Sequence, residues 1–330
     1  MFEGIGRDGQ ERLAAARVLV VGCGALGSSQ AEALARAGVG RLRIVDRDFV
    51  EESNLQRQTM FTERDAHERV PKAVACARRI AEINSDVETE AEVEDVNHSN
   101  VERLVAGCDL VVDGTDNFAT RYLLNDACVK HRVNWIYGAA VGSGGVTMTV
   151  RPHTTPCLRC LLEEAPPAGS SPTCDTAGVI MPIISVIAAL QVSEALKLLA
   201  GRTESLHNSL LQIDVWGNEW RRMVLGKPAA DCPTCAEGIY ETLTAEGLDS
   251  AAVLCGRDSV QISPGRTTEI DFRELAARLR AAGEVTFNPY LLRLRVDNYE
   301  LTVFKDARSI IRGTDDIAVA RSLYARYIGV

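Results

Sequence analysis

Residues 17–27 read Arg17-Val18-Leu19-Val20-Val21-Gly22-Cys23-Gly24-Ala25-Leu26-Gly27, an apolar β-branched run that breaks into a glycine-rich turn. An Ala- and Leu-rich segment, Ala25 to Ala37, continues from the turn, and a second apolar run, Leu42 to Val45, ends at Asp46. Strand, turn, helix and strand in this order predict a β-α-β unit with the crossover that a parallel pair requires. The turn itself is a G-x-G-x-x-G. Gly22, Gly24 and Gly27 let the backbone approach a phosphate, and the following helix N-terminus offers N–H donors and a partial positive charge. Asp46, closing the next strand, is placed to accept from a ribose hydroxyl. Taken alone, these residues specify a mononucleotide or dinucleotide site without saying which.

The alternation continues outward from this unit. Val70 to Ile83 is expected as helix, Val87 to Val93 as strand, Val101 to Ala106 as helix and Leu110 to Asp113 as strand, followed by helix Arg121 to His131 and strand Val133 to Tyr137. Such a pattern predicts an α/β fold with a Rossmann-type, mostly parallel sheet and helices on both faces. From Gly144 the pattern changes to an alternating strand, Val146 to Arg151, and a Pro-rich polar loop, Pro152 to Thr176. A long helix, Val179 to Leu199, and a hairpin through Asp214-Val215-Trp216-Gly217-Asn218 come next. We expect a large domain over residues 1–238, a linker over 239–253 and a small α+β domain over 254–330. The small domain reads as a strand, a helix (Phe272 to Ala281), three strands (Val285 to Phe287, Leu291 to Val296, Leu301 to Phe304) and a final helix, Ile317 to Tyr327.

With 330 residues, 46% hydrophobic and 25% charged, the chain is long and apolar enough to bury a sizeable core. Its formal net charge of −9 argues against nucleic acid or an anionic membrane as a partner for a general basic surface. An acidic protein that binds phosphate must gather its cations locally. The N-terminus is charged and broken by glycines, without an apolar signal region, which leads us to expect a cytoplasmic protein. The apolar stretch Val179 to Leu190 is too short to span a bilayer and reads as a buried helix. Ten cysteines in a reducing compartment point to thiols and metal ligands rather than a disulfide framework.

Asp48, Asn54, Arg57 and Gln58 follow Asp46 closely, and Lys72 stands just after Pro71 at a helix start. Arginine grips phosphate bidentately and lysine acts on it as a point charge, so this region can hold a triphosphate; either cation alone reads equally well as solvated surface. Asp113-Gly114-Thr115-Asp116-Asn117 ends a strand at the carboxyl edge of the sheet, where ligands of open α/β sheets bind. Asp116 can hold Mg²⁺ against phosphate oxygens there, or Asp116 or Asn117 can simply cap the next helix. Cys157-Leu158-Arg159-Cys160 and Cys232-Pro233-Thr234-Cys235 are two C-x-x-C pairs with the chelate spacing that suits tetrahedral Zn²⁺. The long gap between the pairs leaves a redox role open on spacing alone. Cys23, Cys76, Cys108 and Cys128 fall on apolar faces and read as small core residues.

The glycine turn, Ser53-Asn54-Leu55-Gln56-Arg57-Gln58, Pro71-Lys72, Gly114-Thr115-Asp116-Asn117, the two C-x-x-C pairs and Thr176-Ala177-Gly178-Val179-Ile180-Met181-Pro182 resemble the ThiF/MoeB family, relatives of the ubiquitin-activating enzymes. The likeness runs in order from about Gly9 to Gly238. It implies that Gly22, Gly24 and Gly27 line the nucleotide turn, that Asp46 binds ribose, that Asn54, Arg57 and Lys72 contact phosphates, and that Asp116 positions Mg²⁺. The resemblance also implies that Asp48, Gln58 and Asn117 belong to the same ATP site. The resemblance raises a structural zinc knuckle of Cys157, Cys160, Cys232 and Cys235 above the redox alternative.

The activity implied is ATP-dependent adenylation of the C-terminal Gly-Gly carboxylate of a small ubiquitin-like carrier protein, of the ThiS or MoaD type, with release of pyrophosphate. Arg57, Lys72 and Asp116 are the expected catalytic residues. Cys174 is a candidate acceptor of the activated carrier, as thioester or mixed acyl-persulfide, or a passive loop residue. Cys255 is an outside candidate for sulfur handling. A homodimer is expected, with a sulfurtransferase or cysteine desulfurase as further partner.

Two departures stand out. Relatives carry an arginine-containing segment before Gly9-Gln10-Glu11-Arg12-Leu13 that reaches the other subunit, whereas only Arg7 precedes it here, out of register. Residues 240–330 show no rhodanese loop of the kind some relatives append. Three alternatives stay open at this point: an activator of a bacterial ubiquitin-like modifier for protein conjugation, a non-catalytic carrier-binding relative, and an NAD-dependent oxidoreductase.

Overall fold

The computed structural model describes residues 2–164, 166, 177–244, 250–254, 258–264 and 269–329. The chain divides into two compact units, Met1–Thr244 and Ala245–Val330. Among the described residues, the first unit is built on an eight-stranded sheet: β1 (Arg17–Val21), β2 (Arg41–Val45), β3 (Glu88–Glu92), β4 (Leu110–Asp113), β5 (Asn134–Val141), β6 (Gly144–Val150), β7 (Ser209–Asp214) and β8 (Glu219–Val224). They lie in the order β3-β2-β1-β4-β5-β6-β7-β8. From β3 to β5 every pairing is parallel, and β6, β7 and β8 extend the sheet antiparallel.

The chain leaves β1 toward β2 and β3 and then returns to place β4 on the other side of β1. Connections diverge between β1 and β4, the switch point where an open α/β sheet leaves a crevice beyond its strand ends. Four-residue register between Val18–Val21 and Leu110–Asp113 brings the glycine turn after β1 beside the Asp113-Gly114-Thr115 turn after β4. β1 is buried from Val18 to Val21 and β4 along its whole length, as the apolar runs foretell for strands covered on both faces. One core cluster packs Val18, Val20, Leu42 and Ile44 with the helices Ala25–Arg36 and Lys72–Ile83. On the opposite face Leu19, Val21, Val111 and Trp135 pack with the helix Phe118–His131. The helix Met181–Leu199 lies against β5 and β6 with Ile183, Ile184 and Ile187 buried, so the longest apolar segment is a core helix.

The sequence expectation of a linker over 239–253 is corrected at both ends. Glu241–Leu243 is a 3₁₀ turn held to the first unit, because Thr242 N and Oγ1 both donate to buried Asp126, at 3.2 and 2.7 Å. Ser250–Leu254 is already a strand, β9. The second unit continues with β10 (Ser259–Ser263), the helix Phe272–Leu279, β11 (Glu284–Phe287), β12 (Leu291–Val296), β13 (Tyr299–Phe304), β14 (Ser309–Arg312) and the helix Ile317–Tyr327. Among the described residues its six strands form an antiparallel sheet in the order β11-β12-β13-β14-β10-β9. Four strands follow its first helix rather than three. The additional one, β14, fills the place between β13 and β10.

Candidate nucleotide site and metal centre

The three motif glycines have different physical reasons to be glycine. Gly22 has φ +80°, and a Cβ there would sit 2.8 Å from Gly114 O. Gly27 faces the Gly22 carbonyl so closely that any side chain would overlap it. Gly114 completes the contact, with room for no Cβ against Gly22 O and the Gly27 backbone. The two turns at the switch point are therefore packed backbone on backbone. Gly24 differs: a Cβ would meet nothing nearer than Gln58 Nε2 at 3.8 Å, so the fold leaves space in front of it. It also stands as the N-cap of the helix Ala25–Arg36, where N–H donors gather.

Asp46 is buried, and both its oxygens accept main-chain N–H bonds, Oδ2 from Cys23 at 2.6 Å and Oδ1 from Asp48 at 2.7 Å. Burial raises its pKa, opposed by the Lys72 ammonium. The carboxylate is thus fixed against the glycine turn. Lys72 is buried, its Nζ 3.3 Å from Asp48 Oδ2 and its N–H bonded to Asp48 O at 2.9 Å. Gln58 and Asn54 are also buried, and Asn54 Oδ1 and Gln58 Oε1 have no hydrogen-bond partner among the described residues. Buried carboxamide oxygens left open in this way await a donor or a cation. Arg57 is half-buried, with one Nη donating to Ser53 O at 3.1 Å.

Asp116 is exposed, while Asn117 caps the helix Phe118–His131 by accepting from Thr120 N at 2.9 Å. The helix-capping reading of this pair therefore applies to Asn117. Arg47, which the motif reading passed over, bonds Asp95 at 3.1 Å. Burial works against its charge, but Asp95, Asp48 and Asp116 together outweigh it and raise its pKa. Asp113 and Arg121 were missed as well. They form a buried ion pair beside the Asp116 turn, Oδ2 to Nε 3.4 Å. Arg121 lies in the wholly buried run Arg121–Val129, a placement that no local motif marks.

Cys157, Cys160, Cys232 and Cys235 converge, their Sγ atoms all within 4.8 Å of one another. Separations of 3.7 Å (Cys157–Cys232), 3.9 Å (Cys157–Cys160) and 3.4 Å (Cys160–Cys235) match the edge of about 3.8 Å in a tetrahedron with Zn–S near 2.3 Å. Three N–H groups point at these sulfurs: Asn125 Nδ2 at Cys157, Ala229 N at Cys160 and Cys235 N at Cys232. Such donors stabilise thiolate and orient ligands. The donor set therefore fits structural zinc. Buried Asp126 ties this knuckle together, accepting from Thr234 of the second pair at 3.1 Å as well as from Thr242. Cys23, Cys76 and Cys128 are buried core thiols and Cys108 is half-buried. A hydrogen bond with the Cys76 thiol, together with burial, raises the Cys23 pKa well above the usual thiol value and keeps it protonated. Cys174 and Cys255 lie outside the described residues.

A profile of the ThiF family matches residues 1–234. The chain belongs to the ThiF family. Among relatives of this ThiF-family chain, the sulfur carrier protein ThiS adenylyltransferase of Bacillus subtilis is 46% identical over 331 residues, covering 100% of this chain and 97% of the relative. The SAMP-activating enzyme E1 of Haloferax volcanii is 41% identical over 243 residues, 74% of this chain and 88% of its own. The fold is shared with E. coli MccB crystallised with ATP, at TM-score 0.60 and 23% identity over 69% of each chain. The ThiF match ends before the second unit, whereas the Bacillus relative spans both units.

Proposed function

We propose that this ThiF-family chain is an adenylyltransferase that uses ATP to activate the C-terminal Gly-Gly carboxylate of a small ubiquitin-like sulfur carrier, releasing pyrophosphate. The observation that carries this reading is the setting of Gly24. Space in front of a helix N-terminus is flanked by a fixed carboxylate (Asp46), a buried ammonium (Lys72) and the open carboxamide oxygens of Asn54 and Gln58. Full-length identity to a ThiS adenylyltransferase supports the substrate class.

A carboxylate is already a competent nucleophile at neutral pH, so the site needs no general base. Its tasks are to hold the α-phosphorus in line with the attacking oxygen and to offset the charge that builds on the phosphates. Asp46 orients the ribose, the helix N-terminus and Lys72 take the phosphates, and Arg57 adds a second cation. Mg²⁺, held by Asp116, would neutralise phosphate charge when bound. The archaeal E1 supports a second reading, activation of a ubiquitin-like modifier for conjugation, which shares this first step and departs from it only in the fate of the adenylate.

Carrier-dependent exchange between ATP and labelled pyrophosphate tests the reading. Exchange that requires both the carrier tail and Asp116 is the expected result. No exchange with any Gly-Gly-ended carrier, in folded protein, would rule adenylation out.

A further inference from the structure

Asp116 is exposed. Among the described residues its side chain accepts a 3.3 Å bond from Asn117 Nδ2 and faces the Arg47 charge. The three residues before it are held from every side. Asp113 Oδ1 accepts from Thr115 N at 2.8 Å and from Thr115 Oγ1 at 2.7 Å. Gly114 is pressed against Gly22 O and Gly27. Arg121 Nη2 donates to Thr115 O at 2.7 Å and to Gly138 O at 3.3 Å, while its Nε faces Asp113 Oδ2 at 3.4 Å. Its guanidinium carbon lies over the rings of Phe118 and Tyr137, 5.3 and 5.5 Å from their centroids.

A single planar cation thus joins the end of β4, the peptide that leads into Asp116 and the middle of β5. A lysine in its place could keep a charge near Asp113, but its single nitrogen cannot stand both where Nε faces Asp113 and where Nη2 donates to the Thr115 and Gly138 carbonyls. Replacing a buried ion pair by apolar residues is often neutral or stabilising, so stability alone is a weak reason for Asp113 and Arg121 to be there. Geometry is a better one. The Thr115 carbonyl belongs to the peptide bond that precedes Asp116, and Arg121 fixes its direction.

We propose that Arg121 is a positioning residue that sets the Asp116 carboxylate for the divalent cation of a bound cation–ATP complex. The inference rests on the ATP-dependent reading above. Arg121 touches neither cation nor nucleotide; it acts through Asp116, and this makes a sharp statement about coupling.

The test is a double-mutant cycle on the full chain with four proteins: wild type, Arg121→Lys, Asp116→Asn and both together. The reading is the Mg²⁺ concentration that half-saturates binding of a fluorescent, non-hydrolysable ATP analogue, with a thermal melt of each protein. Each single substitution is expected to raise that concentration about tenfold, the scale of one charge-assisted interaction. The double variant is expected to be no worse than Asp116→Asn alone, since residues that act through one another are not additive. Multiplying effects in the double variant, or an unchanged Mg²⁺ requirement in Arg121→Lys, would overturn the proposal. Should Arg121→Lys fail to fold, Asp113→Asn with Arg121→Gln replaces the buried ion pair by neutral amides and enters the same cycle. Wild type that binds the analogue equally with and without Mg²⁺ overturns the Arg121 proposal and leaves the ATP reading standing. Wild type that binds no analogue under either condition removes the ATP reading and this inference with it.

Discussion

Gly27 lies so near the Gly22 carbonyl that a methyl group cannot enter between them. Gly27→Ala should therefore destabilise by about 1–3 kcal/mol or more, seen as a fall in melting temperature without any ligand. Gly24→Ala should melt within about 0.5 kcal/mol of wild type, because its nearest neighbour is 3.8 Å away, yet weaken nucleotide binding about tenfold. An early melt of Gly24→Ala would assign that glycine to packing instead. Lys72→Ala removes a buried cation held 3.3 Å from Asp48, and adenylation should fall on the order of 10²-fold. Near-normal turnover in steady-state assays would remove Lys72 from the mechanism. At this scale the sequence was legible wherever chemistry follows a local motif: Gly22, Asp46 and Lys72 could be singled out from their neighbours. Arg121 could not, because its partners Thr115, Gly138 and Asp113 are gathered only when β4 and β5 pair.

Two elements tie separate segments together through polar contacts, the first on the C-x-x-C pairs that the sequence singles out. The knuckle closes Cys157 onto Cys232 across 75 residues, and Asp126, in the middle of the helix Phe118–His131, holds the far side through Thr234 and Thr242. Metal analysis should find one zinc per chain. Removing it, or Cys232→Ser, should lower the melting temperature, since a structural site contributes its binding energy to folding. Zinc-free protein that melts unchanged would contradict a structural role. The antiparallel end of the sheet holds a second such element. His207, just before β7, lies 3.5 Å from buried Glu194, with Lys197 and Arg222 nearby. Burial lowers the His207 pKa against the pull of Glu194. Its folded-state pKa is thus below its unfolded value, so the unfolded chain takes the proton first. Stability should decline as pH falls from about 6.5 toward that lower pKa. His207→Gln should flatten melting temperature against pH in this window, and an unchanged slope would place the titration elsewhere.

Over the whole molecule, hydrophobic period disclosed the parallel half of the sheet and the long core helix. Pairing order and domain limits were less legible. β14 is only four residues, Ser309–Arg312, and β9 falls in a segment whose composition resembles a linker. Both are short runs held by their neighbours, β14 between β13 and β10 and β9 against β10. The first unit, Met1–Thr244, carries the glycine turn, Asp46, Lys72, Asp116 and the cysteine cluster. A chain ending at Thr244 should then fold cooperatively and bind ATP with wild-type affinity. Loss of ATP binding in such a chain, if it melts cooperatively, would give the second unit a share in the nucleotide site. The most direct test of the central claim follows the phosphorus itself. Incubation of the full chain and a Gly-Gly-ended carrier with ATP labelled at the α-phosphate should place acid-stable label on the carrier's C-terminal carboxylate, and ATP labelled at the γ-phosphate should place none. Label arriving from the γ-phosphate, or none from either position in protein that binds ATP, would contradict adenylation as the reaction of this fold.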